Sequence, residues 1–388
     1  MGNPLALSLN SVRALNWTQH HVIPGTQTTQ ITSLTNTLVG LHSARLSTPF
    51  FACRPRISGF RWQEWGLTTQ SLRAAIKLRC MRKTLHTISC ELAPVLHQAT
   101  KEFRLADVRR QYVSSSATEA EIAAIREEVL SILESSPQSA REVERDVLRR
   151  LGRDDERSRA LIRTILKEMW EEGTLCYLNS SERFDGEQRR YGILRREFPH
   201  LDLNSVDIDT AKQRLVHAHV CSYGPVTVKD TAWWSGLSPR RVSLILSSLR
   251  EFIVSVQVEG FKEEFFISKE TLESIDEPVV AAEPWAEFLA HEDPSLKGYY
   301  ESRKRYVSEA FAGKLFNPIG EARASFVCSG EVVGTWELDQ RKRCVRLRPF
   351  RETSKDETKL ISAALVKLLS FLESHQASGQ WRAEGWTI

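Results

Sequence analysis

The amino-acid sequence predicts an α+β protein, in which helical units that each end in a β-hairpin are followed by an antiparallel sheet with a terminal helix. Three observations predict this class. Two stretches of about 75 residues, a size typical of small domains, each show three helical apolar periods followed by two strand-like runs. Beyond residue 284 the pattern changes to alternation of apolar and polar residues. Residues 356–372 then form one last amphipathic helical period.

The first stretch covers residues 118–194 and gives the clearest signal. Thr118 is a typical N-cap residue, and the apolar residues after it recur at three- and four-residue steps. Gly152 closes a second helix and Gly173 a third, because glycine readily adopts the left-handed conformation that ends helices. Two short apolar runs then flank a polar tip, which predicts a hairpin over 175–194. Three helices and a hairpin in this order indicate a winged helix.

The second stretch, residues 200–275, repeats this order with a different sequence. It contains helical periods over 209–223 and 226–235, and a third that runs from the cap Ser238 to about Phe252. Strand-like runs on both sides of a glutamate–glycine turn complete a second hairpin. The sequence therefore predicts two winged helices in tandem.

The two ends of the chain complete the predicted architecture. Helical runs over residues 34–41 and 69–79 predict a third winged helix in the N-terminal region. A linker over 276–284 precedes the alternating segment, which predicts a barrel-like antiparallel sheet. The predicted domains are residues 1–115, with the N-terminal winged helix, 116–199 and 200–275, with the second and third, and 276–388, a β-barrel-like domain with a terminal helix.

Composition excludes several classes of protein. The chain has 388 residues, 41% of them hydrophobic, so it is too apolar for a disordered tail and long enough for several packed domains. No window reaches the ~18 consecutive apolar residues that a membrane helix needs, and the first residues lack a secretory signal pattern. The 7 cysteines are scattered and form no CxxC pair. Neither a disulfide framework nor a zinc knuckle is therefore expected.

Basic residues form three clusters on a chain whose net charge is only +4. The clusters are Arg240 and Arg241; Arg303, Lys304 and Arg305; and Arg341, Lys342 and Arg343, the last continued by Arg346, Arg348 and Arg351. Winged helices meet DNA phosphates at helix starts and hairpin tips, so we expect these residues to bind DNA. The alternative is that each cluster is a solvated surface. Because the sequence has no GxxxxGK[ST] loop, no HExxH and no HxE followed by PCxxC, it does not indicate a nucleotide hydrolase, a zinc protease or a zinc deaminase.

Two N-terminal segments place a histidine after an apolar residue and near arginines. In the first, Ser43 and Arg45 follow His42, and in the second, Arg82 precedes His86. This combination is typical of an electropositive pocket in which a histidine transfers a proton. A histidine beside leucine is also commonly a structural residue with its hydrogen bonds satisfied, and on the residues alone that alternative stays open.

The sequence resembles the winged-helix DNA glycosylase superfamily that contains the AlkZ-like and YcaQ-like enzymes. MRKTLH at 81–86 is similar to the superfamily's M-R-G-T-L-H, and residues 38–49 take the place of its catalytic tract. YGPVTVKDTAWWSGL at 223–237 is similar to Y-G-P-x-T-x-x-D-x-x-x-W-S-G-L, and FVCSGEVVGTW at 326–336 resembles V-x-V-D-G-x-V-V-G-T-W. The resemblance implies three tandem winged helices, a β-barrel and hydrolysis of the N-glycosidic bond of alkylated purines, in some members at interstrand cross-links.

The catalytic tract departs from this resemblance. Where the superfamily is expected to hold the catalytic water with Gln-x-Gln or Gln-x-Asp, this chain has His42, Ser43 and Ala44. A cationic alkylpurine leaves readily, whereas a neutral base needs a proton, which a histidine can donate and a glutamine cannot. We therefore predict His42 as the catalytic residue, acting as general acid or water-orienting base. The predicted supporting residues are Ser43, Arg45, Arg82, His86 and Asp230. The alternative is a homologue that has lost catalysis.

The predicted activity is that of a monofunctional DNA glycosylase without metal or cofactor, which extrudes a bulky modified base from double-stranded DNA and leaves an abasic site. The altered tract favours an enlarged neutral pyrimidine, such as the glucosylated hydroxymethylcytosine of phage DNA, and hence antiviral defence. The alternatives are repair of alkylated purines or cross-links, and a winged-helix regulator that binds DNA without chemistry. No lysine matches a family nucleophile, so no lyase step is expected.

The remaining expectations concern location and packing. We expect a cytoplasmic, nucleoid-associated monomer that makes no contact with a membrane. Trp233 and Trp234 are expected to be packing residues rather than a platform for bases.

Overall fold

The computed structural model describes residues 5–179, 181, 186–275, 283–375 and 380–386. Helices and strands are mixed along the chain, which confirms the predicted α+β class. The chain divides into two compact units: Met1–Trp62 with Val216–Ile388, the first unit, and Gln63–Leu215, the second unit. The four predicted domains describe a finer division and stay predictions. Among the described residues, no helix has both the length and the apolar character to cross a membrane.

The described helices, in chain order, are α1 (Leu9–Gln19), α2 (Ile31–Thr37), α3 (Thr48–Cys53), α4 (Trp62–Gly66), α5 (Ala93–Ser115), α6 (Glu119–Leu133), α7 (Ala140–Leu151), α8 (Glu156–Glu172), α9 (Leu194–Glu197), α10 (Ile208–Tyr223), α11 (Val228–Ser235), α12 (Pro239–Ser248), α13 (Lys269–Glu273), α14 (Pro294–Lys297), α15 (Glu309–Leu315) and α16 (Lys355–His375).

The described strands are β1 (Leu5–Leu7), β2 (Leu41–His42), β3 (Ala75–Arg79), β4 (Leu85–Ser89), β5 (Leu175–Asn179), β6 (Arg189–Ile193), β7 (Ile253–Val258), β8 (Phe265–Ser268), β9 (Ala286–Leu289), β10 (Ser325–Cys328), β11 (Glu331–Asp339), β12 (Cys344–Pro349) and β13 (Arg382–Glu384). A π-helical turn spans Leu67–Ser71, and 3-10 turns span Met81–Lys83 and Arg303–Arg305.

The centre of the second unit is the bundle α6, α7 and α8 with the antiparallel hairpin of β5 and β6, which confirms the predicted order of three helices and a hairpin. Thr118 and Ser139 each cap a helix in a reciprocal capping box, and Asp155 caps α8. Gly173 ends α8 with φ of 88°, and a Cβ there would lie 2.8 Å from the Leu203 side chain. Both conformation and packing therefore require glycine. Part of the predicted hairpin tip, residues 180 and 182–185, lies outside the described residues.

The helix predicted over residues 69–79 is wrong. The π-helical turn ends at Ser71, and the segment continues as β3, which pairs antiparallel with β4 so that Leu78 lies opposite His86. Ile76 and Leu78 are buried while the side chain of Lys77 between them is less so, which is a period of two rather than 3.6. The segment pairs with β4, about 10 positions further along the chain. This pairing, and not local propensity, determines its conformation.

The first unit contains a second group of helices followed by a hairpin. α11 and α12 precede the antiparallel pair β7 and β8, and β1 lies parallel to β7 on its other side, with Leu5 opposite Val256. α12 is capped by Ser238 as predicted but ends at Ser248, earlier than expected. The N–H of Phe252 donates to Leu249 O in a turn, which leads directly into β7.

The other part of the first unit is a five-stranded sheet in the order β13-β12-β11-β10-β9. β12 and β13 are parallel and the other pairs are antiparallel. α16 packs on β9 and buries Ile361, Leu365 and Leu368. Because β9 and β13 are edge strands among the described residues, the sheet is open, and the closed barrel implied by the resemblance is not formed by them. The predicted linker lies mostly outside the described residues, since 276–282 are not among them.

Candidate active site

The tract that carries His42 leaves its helix earlier than the sequence predicts. α2 ends at Thr37, not at residue 41, and the chain then turns through Val39 and Gly40, which have φ of 52° and 102°. A left-handed conformation is unfavourable for a β-branched residue such as valine and is kept only where the surroundings fix it. Val39 is fully buried, and the Tyr223 hydroxyl donates to Leu38 O at 2.7 Å. These contacts hold β2, and thus His42, in one position.

Within the first unit, the imidazole of His42 faces a buried carboxylate. His42 Nε2 lies 3.8 Å from Glu292 Oε2, and the two side chains are only 8% and 3% exposed. Glu292 Oε2 also lies 2.5 Å from Lys297 Nζ. Glu292 has φ of 56°, so its backbone, like that of Val39, is in the left-handed region. Strained backbone of this kind is concentrated at functional sites.

The carboxyl group of Glu292 holds a proton more readily than an ordinary glutamate. Burial raises its pKa, and this effect exceeds the opposing ones of the Lys297 ammonium and of the Ala322 N–H, which donates to Glu292 Oε1 at 2.7 Å. A carboxylate with a raised pKa beside an imidazole is an arrangement suited to proton transfer. The 3.8 Å separation is longer than a hydrogen bond, and contacts of this kind commonly shorten when substrate binds.

A buried ion pair fixes the backbone on the far side of Glu292. Arg56 donates from both terminal nitrogens to Asp293, at 3.0 and 2.6 Å, and both side chains are fully buried. Asp293 also caps α14, whose last residue is Lys297. A Cβ at Gly298 would lie 2.3 Å from the Tyr223 ring, so only glycine fits there at the end of α14. The hydroxyl of the same tyrosine donates to Leu38 O.

We expect Arg56→Ala to lower the free energy of unfolding by about 3–5 kcal/mol, because it leaves the Asp293 carboxylate buried without its partner. Urea unfolding followed by circular dichroism measures the loss. The matched control is Arg351→Ala, which removes an ion pair to Glu357 whose arginine is 41% exposed and should cost at most about 1 kcal/mol. Equal losses in the two variants would show that the Arg56 pair does not stabilise this region.

The first unit also contains a polar cavity of about 530 Å³, a volume within the usual range for small-molecule sites. Its lining includes Arg45, three residues after His42, and His291, immediately before Glu292. Thr48 also lines it and donates from its hydroxyl to His291 O at 3.0 Å. Burial and the nearby Arg45 guanidinium lower the pKa of His291 to about 4, so this imidazole is neutral at pH 7.

The remaining lining supplies hydrogen-bonding groups and one aromatic wall. Asn317, Glu321 and Gln340 contribute amide and carboxylate groups, and Trp336 contributes an indole. Within the described ranges, no group of three or more His, Cys, Asp and Glu side chains is placed to hold a metal ion. The lining therefore suits a polar organic group, and sequence neighbours of His42 and Glu292 contribute to it.

A family model for AlkZ-like DNA glycosylases matches residues 35–371, which is most of the chain. The chain belongs to the AlkZ-like DNA glycosylase family. The solved structure of the Streptomyces sahachiroi DNA glycosylase AlkZ has a similar fold, with a TM-score of 0.74 and 18% sequence identity over 98% of this chain and 100% of that one. No curated protein matches the sequence. The family resemblance found in the sequence motifs is thereby confirmed.

The sequence-predicted supporting residues of this AlkZ-like protein occupy both units. In the first unit, Ser43 is buried and donates its hydroxyl proton to Leu41 O at 2.9 Å, so it fixes the backbone on which His42 lies. In the second unit, Arg82 lies on a 3-10 turn with φ of 52°. His86 lies on β4, with Nδ1 at 3.1 Å from Thr84 O and 3.4 Å from Cys80 Sγ. A joint pocket of these residues with His42 stays a prediction.

Asp230 stabilises the turn at residues 300–302 through hydrogen bonds to its backbone. Its carboxylate accepts hydrogen bonds from the N–H groups of Tyr300, Glu301 and Ser302 at 2.7, 2.8 and 3.2 Å, and from that of Thr227. The side chain is fully buried, so these donors determine its role. The motif around Asp230 therefore links α11 to the segment that follows α14.

The three basic clusters of this AlkZ-like chain differ in exposure. Arg240 is exposed at the first turn of α12, and Arg341 and Lys342 are exposed in the turn between β11 and β12. Lys304 is also exposed, with its amine 4.6 Å from the centre of the Phe261 ring. These positions are open to a phosphate. Arg241 and Arg343 are half-buried beside their exposed neighbours.

Arg305 requires a correction, because it is not available to DNA. It is fully buried, donates to Asn16 Oδ1 and Pro225 O, and stacks on the Tyr299 ring at 4.0 Å. The three arginines that continue the third cluster also form ion pairs, each with a glutamate. These pairs are Arg346 with Glu384, Arg348 with Glu337, and Arg351 with Glu357.

Sequence reasoning did not find Glu292. Residues 291–293 read His-Glu-Asp in a segment without a family motif, and 250 positions separate Glu292 from His42. The available signal was the placement of two acids and a histidine immediately before Pro294, at a helix start. That pattern indicates a cap, and only the fold brings the neighbouring glutamate to the histidine.

Proposed function

We propose that this AlkZ-like protein is a DNA glycosylase that hydrolyses the N-glycosidic bond of a bulky modified base and leaves an abasic site. The observation that carries the proposal is the buried pair of His42 and Glu292, whose sequence neighbours Arg45 and His291 line a polar cavity. Family membership supports the reaction class. The positions of the two side chains support the division of proton transfers between them.

In the proposed step, the bond between C1′ and the base nitrogen breaks, and its electron pair leaves with the base. His42, protonated, donates its proton to the departing base. A water molecule adds its oxygen to C1′, and Glu292 takes up the proton that the water releases, which its raised pKa favours. Transfer of that proton from Glu292 to His42 restores both groups, so the net change is addition of water.

The proposed substrate is a neutral cytosine enlarged by a polar substituent, such as glucosylated hydroxymethylcytosine. A neutral leaving base needs the proton that a histidine donates, and the cavity offers both volume and hydrogen-bonding groups for a hydroxyl-rich substituent. Such a base marks phage DNA, which places the proposed activity in antiviral defence. Repair of alkylated purines is the competing substrate class and is separated from it by the experiment below.

The proposed DNA complex uses tandem winged helices and exposed basic residues. The helix–helix–helix–hairpin groups support this architecture, and the exposure of Arg240, Arg341 and Lys342 supports their contact with phosphates. Extrusion of the base costs a few kcal/mol, which contacts to the backbone and to the extruded base offset. We propose that the protein acts as a monomer on duplex DNA, in the cytoplasm.

The test is incubation of the purified full-length protein with three matched duplexes that contain only unmodified bases, one N7-alkylguanine, or one glucosylated hydroxymethylcytosine. Hot alkali then converts each abasic site into a strand break that a gel resolves. We expect breakage in the glucosylated duplex alone, and only after alkali, since no lyase step is proposed.

Each other outcome contradicts a specific part of the proposal. Breakage at N7-alkylguanine alone would overturn the substrate class and leave the repair reaction. Breakage before alkali would overturn the monofunctional mechanism. Tight DNA binding without breakage in any duplex would overturn catalysis and favour a regulator.

A further inference from the structure

A stacked aromatic pair, in which Tyr300 is exposed and Trp233 is half-buried, lies on the first unit. The rings of Trp233 and Tyr300 stack with their centres 5.7 Å apart and their planes 25° apart. Tyr300 remains 51% exposed although it stacks on Trp233. Trp234, the next residue, is instead buried and stacks on His219 at 4.4 Å. The two tryptophans, expected to pack alike, therefore have different surroundings.

The turn at 317–321 joins this aromatic pair to the cavity. Asn317 and Glu321 line the cavity, while a Cβ at Gly320 would lie 3.5 Å from the Trp233 ring. Ile319, at the tip of the turn, is 70% exposed. We call Trp233, Tyr300 and Ile319 the aromatic patch. An exposed patch of large apolar side chains is a common sign of an interaction site.

Cations border the aromatic patch. The Arg303 guanidinium lies 5.4 Å from the Trp233 ring centre and 5.0 Å from that of Tyr300, and its Nε donates to Tyr300 O at 3.0 Å. Lys297 Nζ lies 5.1 Å from the Trp233 ring and also forms the ion pair with Glu292. One lysine therefore contacts both the aromatic patch and the candidate catalytic pair.

The patch is held rigidly, which lowers the entropy lost when it binds a ligand. Asp230, on the same helix as Trp233, accepts hydrogen bonds from the backbone N–H groups of Tyr300 and the two residues after it. The backbone that carries the Tyr300 ring is thus hydrogen-bonded to a buried carboxylate on the helix of Trp233.

We propose that the aromatic patch is a stacking surface for an unpaired nucleobase of the bound DNA, a role that rests on the proposed function. A planar base has faces complementary to the exposed aromatic and apolar groups, and its phosphates are complementary to the bordering cations. The position next to the cavity fits a base that neighbours the extruded nucleotide and loses its stacking partner on extrusion. Specificity does not arise here, since every base has a π face.

The test is the binding of a single-stranded oligonucleotide, measured by fluorescence anisotropy at several salt concentrations. Tyr300→Ala should weaken binding about tenfold at each salt concentration, a loss typical of one stacked base. The slope of log K against log salt should stay unchanged, because that slope reports phosphate contacts. Tyr300→Phe, which keeps the ring, should bind as the wild type does, and Trp233→Ala should lose a similar factor.

Phe252→Ala provides the matched control, because Phe252 is 57% exposed on the same unit but lies outside the patch. It should leave binding unchanged. Unchanged binding by Tyr300→Ala, an equal loss in Phe252→Ala, or a loss in Tyr300→Phe as large as in Tyr300→Ala would each overturn the proposal. The readout does not require base release, so a stacking loss that persists in a His42→Ala background supports the patch even if the glycosylase reaction fails.

Discussion

His42→Ala is expected to lower the rate of base release by a factor of about 10²–10⁴, the usual contribution of a positioned general acid. The methyl group cannot donate a proton to a neutral leaving base. DNA binding should change little, because the His42 side chain is only 8% exposed and its neighbour in the structure is Glu292. Single-turnover base release and a dissociation constant for the same duplex measure the two effects separately.

Two further variants sharpen this result. His217→Ala replaces another histidine of the first unit, half-buried beside Cys221, and should keep the wild-type rate. His42→Gln, whose amide has no titrating proton, should lose release of the neutral base as His42→Ala does. A His42→Ala variant that releases the base at the wild-type rate would show that the altered tract does no chemistry.

Glu292→Gln is expected to give the second largest loss, about 10²-fold in base release, because the amide cannot take up a proton from water. The wild-type rate should fall as the pH falls, since protonation of the Glu292 carboxylate removes the base. Burial raises the pKa of Glu292 above its ordinary value of 4.5, so this acid limb should lie at a higher pH than that of an exposed glutamate. His42 and Glu292 interact, so the limb belongs to the pair.

Lys297→Met tests whether Glu292 sets the acid limb, because the direction in which the limb moves depends on the pKa of Glu292. The Lys297 ammonium lowers the pKa of Glu292, so its removal should raise that pKa further and move the acid limb of the pH–rate profile to higher pH. Lys229→Met, which removes an ion pair with Glu301 whose lysine is 66% exposed, should leave the limb in place. A limb that stays or moves to lower pH in Lys297→Met would rule out Glu292 as the group that sets it.

Local signals predicted the helices of the second unit well, because each signal lies inside the element that it specifies. The caps Thr118, Ser139 and Asp155 and the stop at Gly173 fix α6 to α8 within a residue or two. The error at residues 75–79 has the opposite cause. Those residues are short of strong strand formers, and only pairing with β4 makes them a strand.

Of the two residues of the candidate pair, the sequence predicted only the one that lies in a local motif. His42 lies in a motif that a reader recognises locally, whereas Glu292 joins it only through tertiary structure. Arg305 shows the converse error, because a run of three basic residues was interpreted as a surface. The fold places the side chain of Arg305 among Asn16, Pro225 and Tyr299, where carbonyl and amide oxygens satisfy the guanidinium. Charge pattern alone does not reveal which member of such a run points inward.

The first unit consists of two separate segments of the chain, and this has a consequence for biosynthesis. Trp17 donates from its indole to Gly330 O, a partner 313 residues further along the chain. At about 5–20 residues per second, a ribosome needs tens of seconds to supply that partner, whereas the second unit is one contiguous segment that can fold earlier. The segment with His42 therefore emerges long before its carboxylate. The nascent chain can bring His42 and Glu292 together only after residue 292 has been synthesised.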